Sequence, residues 1–188
     1  MGVIEVNKTN RMNDTQLVRE CLRGETEEFK NIVEKYKGKA MALALNILRN
    51  REDAEDVCQE MFLQVYHNLD SFEIGKSFSN WLFSILYKRC LDLLRKRRRF
   101  FDFFTKAKRE AAGMASSASL STSTHNPYFH SLLERLSPKE RTTLYLWAGE
   151  GYTSQEISEV LKCSPNTARI HLHKARKKIK LLLEKKND

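Results

Sequence analysis

The chain has 188 residues, enough for one domain or two small ones. Hydrophobic residues make up 41% and charged residues 30%, the balance of a folded chain, and the net charge is +9. No run approaches the roughly 18 apolar residues of a membrane span, the amino-terminal MGVIEVNKTNRMND lacks a secretory apolar stretch, and the cysteines at 21, 58, 90 and 163 match neither a metal-site spacing nor a disulfide framework. The expected protein is cytoplasmic, without membrane insertion, and uses its reduced cysteines as small core residues.

The distribution of charge says more than its total. Residues 88–109 hold ten basic side chains against Asp92 and Asp102, and residues 166–188 hold eight against Glu184 and Asp188. Residues 52–60 hold five acids and no base. Two basic blocks and one acidic block point to two kinds of partner.

In chain order, residues 1–12 read as a flexible tail. Phe29, Ile32, Val33, Tyr36, Ala40, Leu43, Ala44 and Ile47 then recur at three- and four-residue steps, the stripe of an amphipathic helix. A second stripe runs through Val57, Met61, Val65 and Leu69, and a third through Trp81, Leu82, Ile85, Leu86, Leu91 and Leu94. No alternating strand and no Asn-Gly or Asp-Gly hairpin turn is found, so the chain reads as all-α.

The second stripe carries acids on its outer side. Asp53, Asp56 and Glu60 stand at i, i+3 and i+7, on one helical face with Gln59 beside them. Like charges at this spacing repel, which makes sense if a basic partner neutralises them; a plain solvated face is the bland alternative. Next, Phe72, Phe78 and Trp81 flank a loop with glycine, serine, asparagine and lysine, and a helix with Lys88, Arg89 and Arg95 to Arg99 follows. Aromatic platforms beside a basic surface suit single-stranded DNA, whose bases stack while its phosphates pair with the cations. The alternative places these aromatics in the core. Phe100, Phe101, Phe103 and Phe104 form a cluster without an assigned role.

Residues 105–127 carry little apolar material and five serines between Ser116 and Ser123, so they read as a flexible linker. It separates a helical unit at 13–104 from a second at 128–188. In the second, Ser137-Pro-Lys-Glu140 and Thr153-Ser-Gln-Glu156 have the form of capping boxes, and Ser164-Pro165 opens a third helix. The segment from Thr153 reads as helix, tight turn, helix, locked by Ile157, Leu161, Cys163 and Ala168, with Ser158 small at the crossing. Lys162 stands where such turns often have glycine. Asn166, Thr167, Arg169, Ile170, His171, His173, Lys174 and Arg176 remain for the exposed faces of the last helix. Its polar start suits base edges in the major groove, and Lys174, Arg176, Lys177, Lys178 and Lys180 suit phosphates.

These motifs, in this order, resemble the bacterial RNA polymerase sigma factors of the extracytoplasmic-function group. The matching text is DAEDVCQEMFLQVYHNLDSF, then FSNWLFSILYKRCLDLLRKRRR, then LSPKERTTLYLWAGEGYTSQEISEVLKCSPNTARIHLHKARKKI. The resemblance implies two small helical domains, sigma domain 2 at 13–104 and sigma domain 4 with its helix-turn-helix at 128–188, joined by the linker. It implies that Asp53, Asp56, Gln59 and Glu60 bind the clamp helices of the polymerase's largest catalytic subunit, with a further contact to the polymerase flap. Phe72, Ser79, Asn80, Trp81, Lys88 and Arg89 would recognise and open the minus-ten element of promoter DNA. Ser164, Asn166, Thr167, Arg169, Ile170, His171, His173, Lys174 and Arg176 would read the minus-thirty-five element. A cognate anti-sigma factor is an implied partner. Lys88, where relatives often have asparagine, and Ile170 and His171, where they have other polar or basic choices, prevent the promoter sequence from being copied from them.

Three other classes fit less well. A helix-turn-helix regulator of the response-regulator type would need a receiver domain with alternating strands, which residues 13–104 do not supply. An enzyme such as a nuclease would need convergent metal or acid–base groups. His171 and His173 point to different faces of one helix, and the acids of residues 52–60 have no histidine or phosphate loop beside them, so no catalytic residue, metal ligand or cofactor is assigned. An adaptor that binds polymerase alone would have no use for two DNA-like basic surfaces.

Overall fold

The computed structural model describes residues 13–25, 27–111 and 133–187. They form seven α-helices: α1 (Asp14–Leu22), α2 (Glu28–Leu48), α3 (Arg51–His67), α4 (Phe78–Ala111), α5 (Pro138–Ala148), α6 (Ser154–Leu161) and α7 (Pro165–Asn187). Among the described residues the only strand-like pairing is an isolated bridge between Ile74 and Lys76, and no helix is long and apolar enough to cross a membrane. The tail at 1–12 and residues 112–127 of the expected linker lie outside the described residues. Residues 105–111, expected as the start of that linker, continue α4 instead. Lysine, arginine, glutamate and alanine there propagate a helix that is already nucleated, at little cost per residue.

Local chemistry sets the helix starts. Asn13 and Asn50 accept the backbone N–H of Gln16 and Asp53, each at 2.9 Å, to open α1 and α3. Ser137 and Thr153 form the reciprocal capping boxes with Glu140 and Glu156 that their spacing predicts. Ser164 caps α7 through the Thr167 N–H at 3.1 Å. Lys162 ends α6 in the left-handed region at φ 50°, as the missing glycine foreshadows.

The apolar stripes converge on one core. Ile32, Leu43, Ile47, Met61, Leu82, Phe83 and Leu86 are all buried there, where α2 packs against α1, α3 and α4. The core does not stop at the composition break. Leu146, Ile157, Val160, Leu161 and Ala168 of the second unit belong to the same apolar cluster, with α5 against α2 and α6 against α4. Across this joint Arg141 donates to the Ile47 carbonyl at 3.0 Å while its other amino group reaches the carbonyls of Leu133 and Leu136. Arg49 pairs with Glu134 at 2.8 Å and Lys39 with Glu150 at 2.7 Å. Burial, and then the neighbouring Arg49, lower the Arg141 pKa to about 10.

Candidate functional site

Two chemically distinct surfaces lie on the first unit, both built on α4. On one side α3 and α4 enclose a polar groove of about 600 Å³, lined among others by Asp53, Asp56, Glu60, Gln64, Lys88 and Arg89. Two of the acids are paired within the chain. Arg97 makes a forked pair with Asp53 through both amino groups, and Arg89 binds Glu60 while its Nε donates to Gln64 at 2.7 Å. Asp56 stands between them with no ion pair among the described residues, and Gln59 is exposed beside them. The groove therefore alternates charge, and each paired arginine is held in a defined direction.

At the other side the loop before α4 forms an aromatic nest. Phe72, Phe78 and Trp81 lie with ring centroids 5.2–5.6 Å apart. Phe72 and Phe78 are buried and Trp81 is half-buried, so the first two are the floor and Trp81 is the ring with a face left to offer. Lys88 is exposed and Arg89 half-buried further along α4. Ser79 and Asn80 face the second unit. The Asn80 amide is only 4% exposed, and its Nδ2 donates to Glu159 of α6 at 2.7 Å. Burial pushes the Tyr152 phenol pKa up, and a hydrogen bond with Ser79 pulls it partly back.

The surface of the second unit is open by comparison. Asn166, Arg169, Ile170, His173 and Lys174 are exposed along α7, with Thr167 and His171 partly so. Burial, followed by Lys139, lowers the His171 pKa below its ordinary value, which leaves the ring neutral at neutral pH and able to donate and accept. Ser164 is occupied as the cap, its hydroxyl 2.8 Å from that of Thr167. Arg176 stacks over Trp147 with its guanidinium 5.2 Å from the ring centroid. Lys178, expected among the phosphate-facing lysines, turns inward instead and binds Glu140 at 2.7 Å. The reason is the Ser137 cap: Glu140 reaches back to the helix start and leaves a nearly buried carboxylate that needs a cation.

The described residues hold no cluster of histidine, cysteine and carboxylates able to bind a metal ion. The Phe100–Phe104 cluster is exposed in the second half of α4, with the Phe100 and Phe104 ring centroids 5.6 Å apart.

The sigma-70 region 2 family model matches residues 32–100, and the sigma-70 region 4 model matches residues 128–179. The chain is a sigma factor of the extracytoplasmic-function group. It is 29% identical over 178 residues to the ECF RNA polymerase sigma factor SigW of Bacillus subtilis, covering 87% of this chain and 92% of that one. It is 27% identical to the RNA polymerase sigma-H factor of Pseudomonas aeruginosa, covering 91% and 94%. Among solved structures, CnrH in complex with the cytosolic domain of CnrY is similar, with a TM-score of 0.66, 26% identity and coverage of 91% of this chain and 97% of that one. The sigma factor RpoE of Bartonella quintana, in complex with the anti-sigma factor NepR, has the same fold at a TM-score of 0.67 and 22% identity, covering 84% and 98%. As a sigma factor the chain directs promoter-specific transcription initiation.

Sequence reasoning missed three partners in these surfaces. Gln64 was legible, since it continues the acidic face at i+11 from Asp53. Arg97 was visible only as one of a basic run, and Glu159 only as a surface acid, because their roles depend on which helices meet.

Proposed function

We propose that this sigma factor divides its work among these three surfaces. The acidic side of α3, with Asp53, Asp56, Gln59 and Glu60, docks the polymerase clamp helices, and α7 reads the minus-thirty-five duplex through the exposed residues between Asn166 and Lys174. The Trp81 nest, with Asn80, Ser79, Lys88 and Arg89, captures the opened minus-ten strand. The observation that carries this reading is Trp81 itself. It is a half-buried ring seated on a buried Phe72–Phe78 floor, at the head of a helix that exposes Lys88 two turns further on, with Arg89 beside it held by Glu60 and Gln64. Such a floor holds Trp81 in one orientation, so a flipped base finds a preformed face to stack on. The protein contributes binding and DNA deformation, and the polymerase supplies the chemistry. The similar sigma factor RpoE, solved with the anti-sigma factor NepR, supports a cognate anti-sigma factor here as well.

The test is transcription of fragmented genomic DNA by bacterial core polymerase with and without the chain. New RNA starts preceded by two shared motifs are expected. DNA binding without any new start from the polymerase of its own species would overturn the assignment.

A further inference from the structure

The proposed strand-capturing nest is partly covered by the second unit. It faces a cleft of about 900 Å³ whose other wall is the start of the helix-turn-helix, lined there by Glu156, which is held in its capping box, and by Glu159, which reaches Asn80. Asn80 is the centre of the contact. Its Nδ2 is bound to the Glu159 carboxylate, while its Oδ1 is buried without any hydrogen-bond partner. A buried amide with one half satisfied is an imperfect native contact, and the orphaned oxygen is a good acceptor for a donor on a base edge. Phe83, just beyond, lies 6.3 Å from Tyr152 between ring centroids. The Nε of Arg141, at the other end of the joint, is also buried and unpartnered. The joint is thus apolar enough to close and carries unpaired polar atoms that favour opening. None of the α7 residues proposed to read duplex, Asn166 to Lys174, lines this cleft, and most stay exposed.

We propose that Glu159 is an internal stand-in for promoter DNA, its carboxylate occupying the Asn80 amide and placing negative charge before Trp81, so that the free chain is self-blocked at its strand-capturing site only. This rests on the assignment of Asn80 and Trp81 to strand capture made above. A nucleic-acid strand entering the cleft meets the charge of Glu159 and Glu156 and has to displace α6 to reach the Asn80 donor. Opening of the α4–α6 joint therefore precedes strand capture, and a partner that holds the two units apart activates the chain at this site.

The full chain is titrated with a fluorescein-labelled random-sequence single strand of about 20 nucleotides and with the matching duplex. Glu159→Ala is expected to bind the single strand about tenfold more tightly, as loss of one charged hydrogen bond implies, with little change for the duplex. Glu184→Ala, which removes the same charge from the distant end of α7, should change neither. Adding Trp81→Ala to Glu159→Ala should remove the gain. Amide hydrogen exchange of the same variants over residues 77–82 and 154–161 should accelerate in Glu159→Ala. Faster exchange with no gain in single-strand binding would sink the strand-capture reading and the block with it. Unchanged exchange and unchanged binding would overturn the block alone. An equal gain for the duplex, or from Glu184→Ala, would reduce the effect to net charge and also overturn it.

Discussion

The two surfaces proposed to meet DNA are built in opposite ways. The α7 face is a row of exposed side chains on one helix, positioned by a capping serine and a tight turn. The Trp81 nest is assembled from a loop, the start of α4 and a buried aromatic floor, and it is partly covered by α6. A surface that reads an intact duplex needs only to project donors and acceptors into a groove. A surface that holds an unstacked base needs a rigid pocket, and a rigid apolar pocket left open in solution attracts a lid. On the proposed division of work, duplex reading is preformed in this chain, whereas strand capture waits on a rearrangement.

The strongest way to break that contrast is Trp81→Ala. Removal of the one offered ring should lower promoter opening roughly 10- to 100-fold, the worth of about 1–3 kcal/mol of base stacking, while polymerase binding is retained. Permanganate footprinting on a promoter mapped for this chain reads the opening, and normal reactivity would show that the nest is structural. Joint reversal of Asp56 and Glu60 to lysine should instead weaken the polymerase complex by tenfold or more and leave the isolated chain folded. Asp56 has no ion pair among the described residues, and the pair that Glu60 makes with Arg89 is an exposed one of small worth, so little internal structure depends on them. An unchanged affinity in a pull-down would move the docking face elsewhere.

The second unit is sharpened by acid. Burial works against ionisation of Glu140, yet the Lys178 and Ser137 hydrogen bonds outweigh it and hold the carboxyl below its ordinary value; Thr153 does the same for Glu156. Each group therefore contributes stability that is fully present above the ordinary carboxylate pKa of about 4.3 and is lost as pH falls through the lower folded value. Urea melts between pH 7 and pH 3 should show this loss, and Glu140→Gln should flatten it. Ser137→Ala should cost about 1 kcal/mol by removing the cap, read as a lower urea midpoint. The smallest expected effect is a gain. Lys162→Gly relieves a left-handed lysine at φ 50° and should stabilise the chain by about 0.5–1 kcal/mol, seen as a rise of a few degrees in Tm. A loss instead would show that the lysine side chain earns its place at the turn.

What could be read from residues alone was whatever is local. The capping boxes at Ser137 and Thr153, the apolar stripes of α2 and α3, the acidic face from Asp53 to Glu60 and the strained Lys162 turn each depend on neighbours within one or two helical turns. The structure returns them at those positions. Tertiary structure decided the rest. That Arg97 and Arg89 neutralise Asp53 and Glu60, that Lys178 turns back to Glu140 and that Phe72 is floor rather than platform depend on which helix faces meet. The drop in apolar content after α4 is a property of composition and suggests two separate cores. The contacts of α5 with α2 and of α6 with α4 depend on shape and on distant partners, and they join Leu146, Ile157 and Val160 to the first core, while Leu133, Leu136 and Ala175 keep a cluster of their own. Helix period and capping act over a few residues and are written in the order of the chain, whereas pairing between helices 80 residues apart is selected only when the whole apolar surface is buried together.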